Sequence, residues 1–179
     1  MGNRLSEDGG EMKKEDISCL RWTRASALGA VGRSVEVRQW MTPSPVTIGS
    51  SASLGEAIRL LVKHNVRELP VVERGKLIGI VTDRDIRQVS PSYPLFRDEE
   101  EIRAHLDSMK VSCAMSLDPI VVEPTDDMIE AASMMIRYRI GSLPVVHEKR
   151  VVGIVSVTDV MKLFLDQNKQ AVYSKSGRA

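Results

Sequence analysis

Displaced by 74 positions, residues 40–89 align with residues 114–163 without a gap. Met41 falls on Met115, Pro45 on Pro119, and Glu56-Ala57 on Glu130-Ala131. Leu69-Pro70-Val71-Val72 falls on Leu143-Pro144-Val145-Val146, Gly79-Ile80-Val81 on Gly153-Ile154-Val155, and Asp85 on Asp159. Mismatches keep their character, as Thr82 against Ser156 and Ile86 against Val160 do. A period of this kind means one supersecondary unit written twice, and it limits the fold more than any local propensity does.

Each copy has the same local grammar. The β-branched runs Val46-Thr47-Ile48 and Ile120-Val121-Val122 follow Pro45 and Pro119 and are predicted as short strands. A helix comes next. Ser53 and Asp127 stand as N-caps with Glu56 and Glu130 three residues on, the spacing of a capping box. Its buried stripe is Leu54, Ala57, Ile58, Leu61 and Val62, repeated as Met128, Ala131, Ala132, Met135 and Ile136. The methionines read as pliable core rather than a cofactor-binding box. Strands at Leu69 to Val72 and Leu77 to Val81 follow, joined by the turn Glu73-Arg74-Gly75-Lys76, and a second helix starts near Asp83. The order is β-α-β-β-α. A three-stranded sheet covered by helices on one side leaves its other face apolar, and a unit that small is marginal alone. The expected architecture is α/β, of the α+β kind: two repeats packed sheet to sheet with pseudo-twofold symmetry.

These signals place the first repeat at 37–90 and the second at 111–166. The linker, 91–110, opens in a Ser-Pro-rich stretch and then carries Ile102, Leu106 and Met109 on one helical face. Asp98-Glu99-Glu100-Glu101 lie at its start, where the helix dipole favours acids. It reads as a solvated connector rather than a partner-binding helix. Residues 1–36 show no sustained period and are expected to be mostly disordered; 167–179 form a tail. The opening Met1-Gly2-Asn3-Arg4-Leu5-Ser6 fits the loose myristoylation pattern, which fixes too few residues to outweigh chance.

Composition removes several function classes. Apolar residues make up 42% and charged residues 27%, so a core can be buried, but only 4% are aromatic and it must be aliphatic. A formal charge of +1 offers no net attraction to nucleic acid or anionic lipid. Cys19 and Cys113 have neither Cys-x-x-Cys spacing nor a His cluster nearby, which fits free thiols and no zinc site. No apolar run approaches the roughly 20 residues of a membrane span. A cytoplasmic location is expected. No nucleophile–base pair, paired carboxylates or metal-ligand spacing recurs at a plausible site, so no catalysis is expected.

The most informative segment is Gly79-Ile80-Val81-Thr82-Asp83-Arg84-Asp85, matched by Gly153-Ile154-Val155-Ser156-Val157-Thr158-Asp159. A buried strand ends in a hydroxyl residue that starts a helix, and a carboxylate stands three residues later. A helix N-terminus and a hydroxyl suit a phosphate, and the carboxylate suits a ribose diol. The same residues could equally be helix caps that satisfy only their own backbone. Duplication does not separate the two, because a duplicated domain duplicates its caps.

Leu-Pro-Val-Val, Gly-Ile-Val-Thr-Asp-Arg-Asp-Ile and Met-Thr-Pro-Ser-Pro-Val-Thr strongly resemble the CBS (cystathionine β-synthase) domain, and the pair resembles a Bateman module over about residues 37–165. Bacterial two-CBS proteins of acetoin utilisation look closest, given Asp83-Arg84-Asp85-Ile86-Arg87 before the Ser-Pro-Ser linker. The resemblance implies an adenosine ligand, such as AMP, ADP or ATP, as regulatory ligand, and a homodimer. It implicates Thr82 and Asp85 at one site and Ser156 and Asp159 at the other, the hydroxyl on phosphate and the acid on ribose. Val46, Thr47 and Ile48, and Ile120, Val121 and Val122, would be the adenine walls. Cations before Leu-Pro serve phosphates in that family: Arg67 qualifies in the first copy, whereas Gly141-Ser142 carry no charge. Arg84 is a further candidate, and His64 reads as a favourable charge at a helix C-terminus. The rival expectation is a ligand-free dimerisation or docking module. Nucleic-acid binding lacks a basic patch and stacking aromatics.

Overall fold

The structure is a computed structural model that describes residues 34–90 and 98–169. The expectations for residues 1–33 and for 170–179 therefore lie outside the described residues. Strands are β1 (Thr42–Pro43), β2 (Glu68–Glu73), β3 (Lys76–Thr82), β4 (Ser116–Leu117), β5 (Ser142–His147) and β6 (Arg150–Ser156). Helices are α1 (Leu54–His64), α2 (Asp83–Val89), α3 (Glu99–Ser108), α4 (Met128–Tyr138) and α5 (Val157–Gln167). They build two three-stranded sheets, in the orders β2-β3-β4 and β1-β6-β5. The mixed α/β pair expected from the repeat is what forms.

The copies exchange their leading segments. Thr42 and Pro43 pair with Ile154 and Gly153, so the first copy's β1 completes the second copy's sheet. In return Ser116 and Leu117 of β4 pair with Ile80 and Gly79. The residues just before each short strand cross over as well. Val37, fully buried, sits in the core of Val122, Met128, Met135, Leu143, Val145 and Val155. Its counterpart Val111 sits in the core of Leu54, Ala57, Leu61, Leu69, Val71 and Val81. Backbone bonds seal both crossings: Met128 N–H donates to Val35 at 2.8 Å, and Leu54 N–H to Met109 at 2.8 Å. Of the N-terminal extension, 34–36 are thus held to the second copy, and the Ser34 hydroxyl donates to Asp127 at 2.7 Å.

Two sequence expectations are corrected. Val46-Thr47-Ile48 and Ile120-Val121-Val122 are not strands; each run makes one parallel bridge, Ile48 to Val71 and Val122 to Val145. Ile48 N–H donates to Pro70 at 3.1 Å and Val72 N–H to Ile48 at 2.9 Å, with Val122, Pro144 and Val146 repeating the pattern. The next rung would need an N–H from Pro70 or Pro144, which proline lacks. The ladder stops there. Val62 and Ile136 are not buried but 75% and 76% exposed. Each lies about 100° round the helix from Leu61 or Met135, beyond the edge of the covered stripe.

The turn geometry is duplicated even where the residues differ. Positive φ recurs at Ser44 and Asp118, Asn65 and Arg139, Arg74 and Glu148, and Gly75 and Lys149. Arg74-Gly75 suits a two-residue hairpin loop, since only glycine takes φ of +77° without cost. Glu148-Lys149 adopts the same loop with two side chains in the left-handed region, each strained by about 1–2 kcal/mol. Helix α3 docks on the first core through Leu106, with Ile102 and Met109 half-buried beside it, and Arg59 pairs with Asp107 at 3.1 Å. It is a connector fastened to α1 rather than a solvated one.

Candidate functional site

Strand β3 delivers Thr82 to the start of α2, and Glu68 of β2 is its register partner. The Asp85 Oδ2 accepts from Thr82 N–H at 2.9 Å and from the Thr82 hydroxyl at 2.7 Å. Asp85 N–H donates back to Thr82 Oγ1 at 3.1 Å. This is a closed capping box, so the cap role is real. It also limits the helix N-terminus as an anion site: Asp83 N–H is taken by the Arg67 carbonyl at 2.9 Å, and Asp85 N–H by Thr82. Only the Arg84 N–H of that first turn has no partner among the described residues. Asp85 keeps one oxygen, Oδ1, without a hydrogen bond among the described residues; its sequence neighbour Arg84 is exposed, and so is Arg67, whose carbonyl holds Asp83 N–H.

A cleft of about 230 Å³ opens between the copies, lined by Val46, His64, Val66 and Glu68 with Thr42, Ser44, Pro45 and Ile154. It brings one expected wall residue, Val46, together with Glu68, the register partner of Thr82, while Thr82, Asp85, Arg67 and Arg84 do not line it. Thr47 is exposed and Ile48 is turned into the core at 4% exposure, so Ile48 can offer a ligand only its backbone. His64 closes α1 and also lines the cleft. Val66 and Ile154 escaped the sequence reading because they carry no signal except through the crossing of the copies.

The second copy is built differently. Ser156 and Asp159 reproduce the capping box, with Asp159 Oδ2 accepting from Ser156 N–H at 3.0 Å and its hydroxyl at 2.7 Å. Asp159 is 5% exposed, and its Oδ1 accepts from Lys162 Nζ at 2.9 Å. A groove of about 470 Å³ runs past Ile120 and Val121 but lies against Glu130, Ser133, Met134, Arg137 and Tyr138 of α4, apart from Ser156 and Asp159. Val122 is buried. Arg139 is the left-handed C-cap of α4.

The acidity of Glu68 is clearly displaced. Burial raises its carboxyl above the usual range; the Ser142 hydroxyl and Arg67 partly offset this, and Asp83 adds to it. Ser142 is its repeat counterpart, so the pair meets across the pseudo-twofold. A raised folded-state value means that protonated Glu68 is favoured by folding, and that this contribution is lost as pH rises through the folded value. Glu68→Gln should therefore raise the melting temperature at neutral and alkaline pH. The gain should vanish below the usual carboxylate range, where Glu68 itself is protonated. Melting curves from pH 4 to pH 8 check this, and a pH-independent effect would exclude burial of the charge as its cause.

The CBS domain model matches this sequence twice, at residues 37–92 and 111–166. The chain belongs to the CBS-domain family. A CBS domain-containing protein of Dictyostelium discoideum is 35% identical over 133 residues, covering 73% of this chain and 92% of that protein. AcuB of Vibrio cholerae, described as an acetoin utilization protein, superposes with a TM-score of 0.64 at 25% identity, covering 79% of this chain and 98% of that one. Arabidopsis thaliana CBSX2, solved in complex with AMP, superposes with a TM-score of 0.61 at 26% identity over 74% of this chain and 98% of that one. Among the described residues no helix is long and apolar enough to cross a membrane, and no three His, Cys, Asp or Glu converge to hold a metal ion.

Proposed function

We propose that this CBS pair is a non-catalytic, cytoplasmic sensor of an adenine nucleotide of the AMP, ADP or ATP type, bound at the first copy. The observation that carries the reading is a cavity one strand away from the motif: Val46 and Glu68 line it, and Glu68 is the register partner of Thr82. The adenine would lie against Val46 and Val66, and the ribose hydroxyls would donate to the open Asp85 Oδ1. At about 230 Å³ the cleft is below the roughly 300–1,000 Å³ of common ligand pockets, so the phosphates would rest outside it, towards Arg67 and Arg84. The AMP complex of CBSX2 supports the ligand class. Thermal melting with AMP, ADP and ATP tests it: at least one should raise the melting temperature of the intact chain.

A second reading draws on a different observation. Ile129, Ile136, Val157, Met161 and Phe164 of α4 and α5 are all 47% or more exposed, an apolar helical surface that a partner would cover. We propose that a second copy of the chain covers it, in a closed twofold dimer. A dimer mass by light scattering at micromolar concentration is the expected result, and a monomer mass would remove the dimer. With no nucleotide response, dimerisation or docking would be the module's whole function.

A further inference from the structure

The two copies start their motif helices with the same capping box but treat the remaining carboxylate oxygen in opposite ways. We infer that Lys162 closes the second site by occupying Asp159, so that the module takes one adenosine ligand per chain, at the first copy. The inference rests on the nucleotide reading above and specifies how that reading is distributed over the repeat.

Lys162 stands three residues after Asp159 on α5, the spacing at which side chains share a helix face. Its ammonium lies 2.9 Å from Asp159 Oδ1, while Oδ2 is held by Ser156. A ribose diol donates two hydroxyl hydrogens, and Asp159, which already accepts three bonds on its roughly four lone-pair sites, cannot take both without giving one up. The position equivalent to Lys162 in the first copy is Gln88, which is uncharged and exposed, and Asp85 Oδ1 has no hydrogen bond among the described residues. Exposed ion pairs are weak, but this one has a buried member: the Asp159 side chain is 7% exposed and little screened. A ligand entering here would have to displace a charge from a buried carboxylate.

The surroundings agree. Val66 and Glu68 line the cleft of the first copy, whereas their counterparts do not line the second copy's groove: Ile140 packs on the second core and Ser142 is 7% exposed. Asp83 and Arg84 are replaced by Val157 and Thr158, and Arg67 by Gly141, so the positions that match the first copy's two arginines carry no cation.

Isothermal titration of the full chain with AMP separates the possibilities by stoichiometry. The wild type should bind one AMP per chain. Lys162→Gln, which installs the first copy's residue, should add a second, weaker site. Gln88→Lys should close the first site and lower affinity at least tenfold, and it remains informative if Lys162→Gln fails to fold. Two AMP per chain in the wild type would overturn the inference and leave the nucleotide reading intact. So would a second site that weakens in Lys162→Gln, which would make Lys162 a phosphate ligand, or a Gln88→Lys variant that binds normally. No binding by any of the three proteins, with ADP and ATP titrated as well as AMP, would overturn the nucleotide reading itself, and this inference with it.

Discussion

Expressed alone, residues 34–92 should be unfolded, and so should residues 111–166, although each contains a whole match to the CBS domain. The first fragment would lose β4 from its sheet, Val111 and Leu106 from its core, and the Met109 carbonyl that accepts from Leu54. A two-stranded hairpin is marginal in water unless a helix packs on it, and the fragment would depend on α1 and α2 alone for that cover. Burying a Val or Leu side chain contributes about 1.5–3 kcal/mol, so losing two removes much of the 5–15 kcal/mol that holds a domain together. The same fragment would carry Val37, Trp40 and Met41 into water, since their core is on the other copy. Circular dichroism and heteronuclear NMR check the expectation. A dispersed spectrum and a cooperative melt from either fragment would mean that the exchange is dispensable. In the intact chain the same coupling predicts one unfolding transition rather than two.

The repeat made the pairing of copies legible, but not how they interlock. Alignment at a displacement of 74 maps Val37 onto Val111 and Met41 onto Met115, yet nothing local says that each belongs to the other copy's core. Such contacts are set by tertiary geometry, which hydrophobic periodicity does not encode. The same limit explains Val62 and Ile136: the periodic stripe is wider than the surface available to cover it. The missing strands had a local cause that could have been read, because Pro70 and Pro144 deny the next rung its donor. At the site, the capping box was legible from Thr82, Asp85, Ser156 and Asp159. The inequality of the two acids was legible only in Gln88 against Lys162, a difference that gains meaning once the i,i+3 contact is seen.

Asp85→Ala should abolish most of the nucleotide response while lowering the unliganded stability by less. A ligand at about 100 times its dissociation constant adds roughly 2.7 kcal/mol, which for a chain of this size is a rise of about 5–10 °C in melting temperature. Alanine removes the acceptor that the ribose diol would use, so that rise should collapse. It also strips two hydrogen bonds from Thr82, and loss of a cap partner costs about 0.5–2 kcal/mol in the unliganded protein. Asp85→Asn is the control, since one amide oxygen can keep the bonds to Thr82 while the charge is lost. Asp159→Ala should reverse the balance. Its carboxylate is buried under Lys162 and Ser156, so the unliganded melting point should fall further and the nucleotide response should change less. If the motif is only a helix cap, both alanine variants will lower the unliganded melting point, and no nucleotide will shift the wild type. That result would remove the sensor and leave a module whose exposed α4–α5 surface is its function.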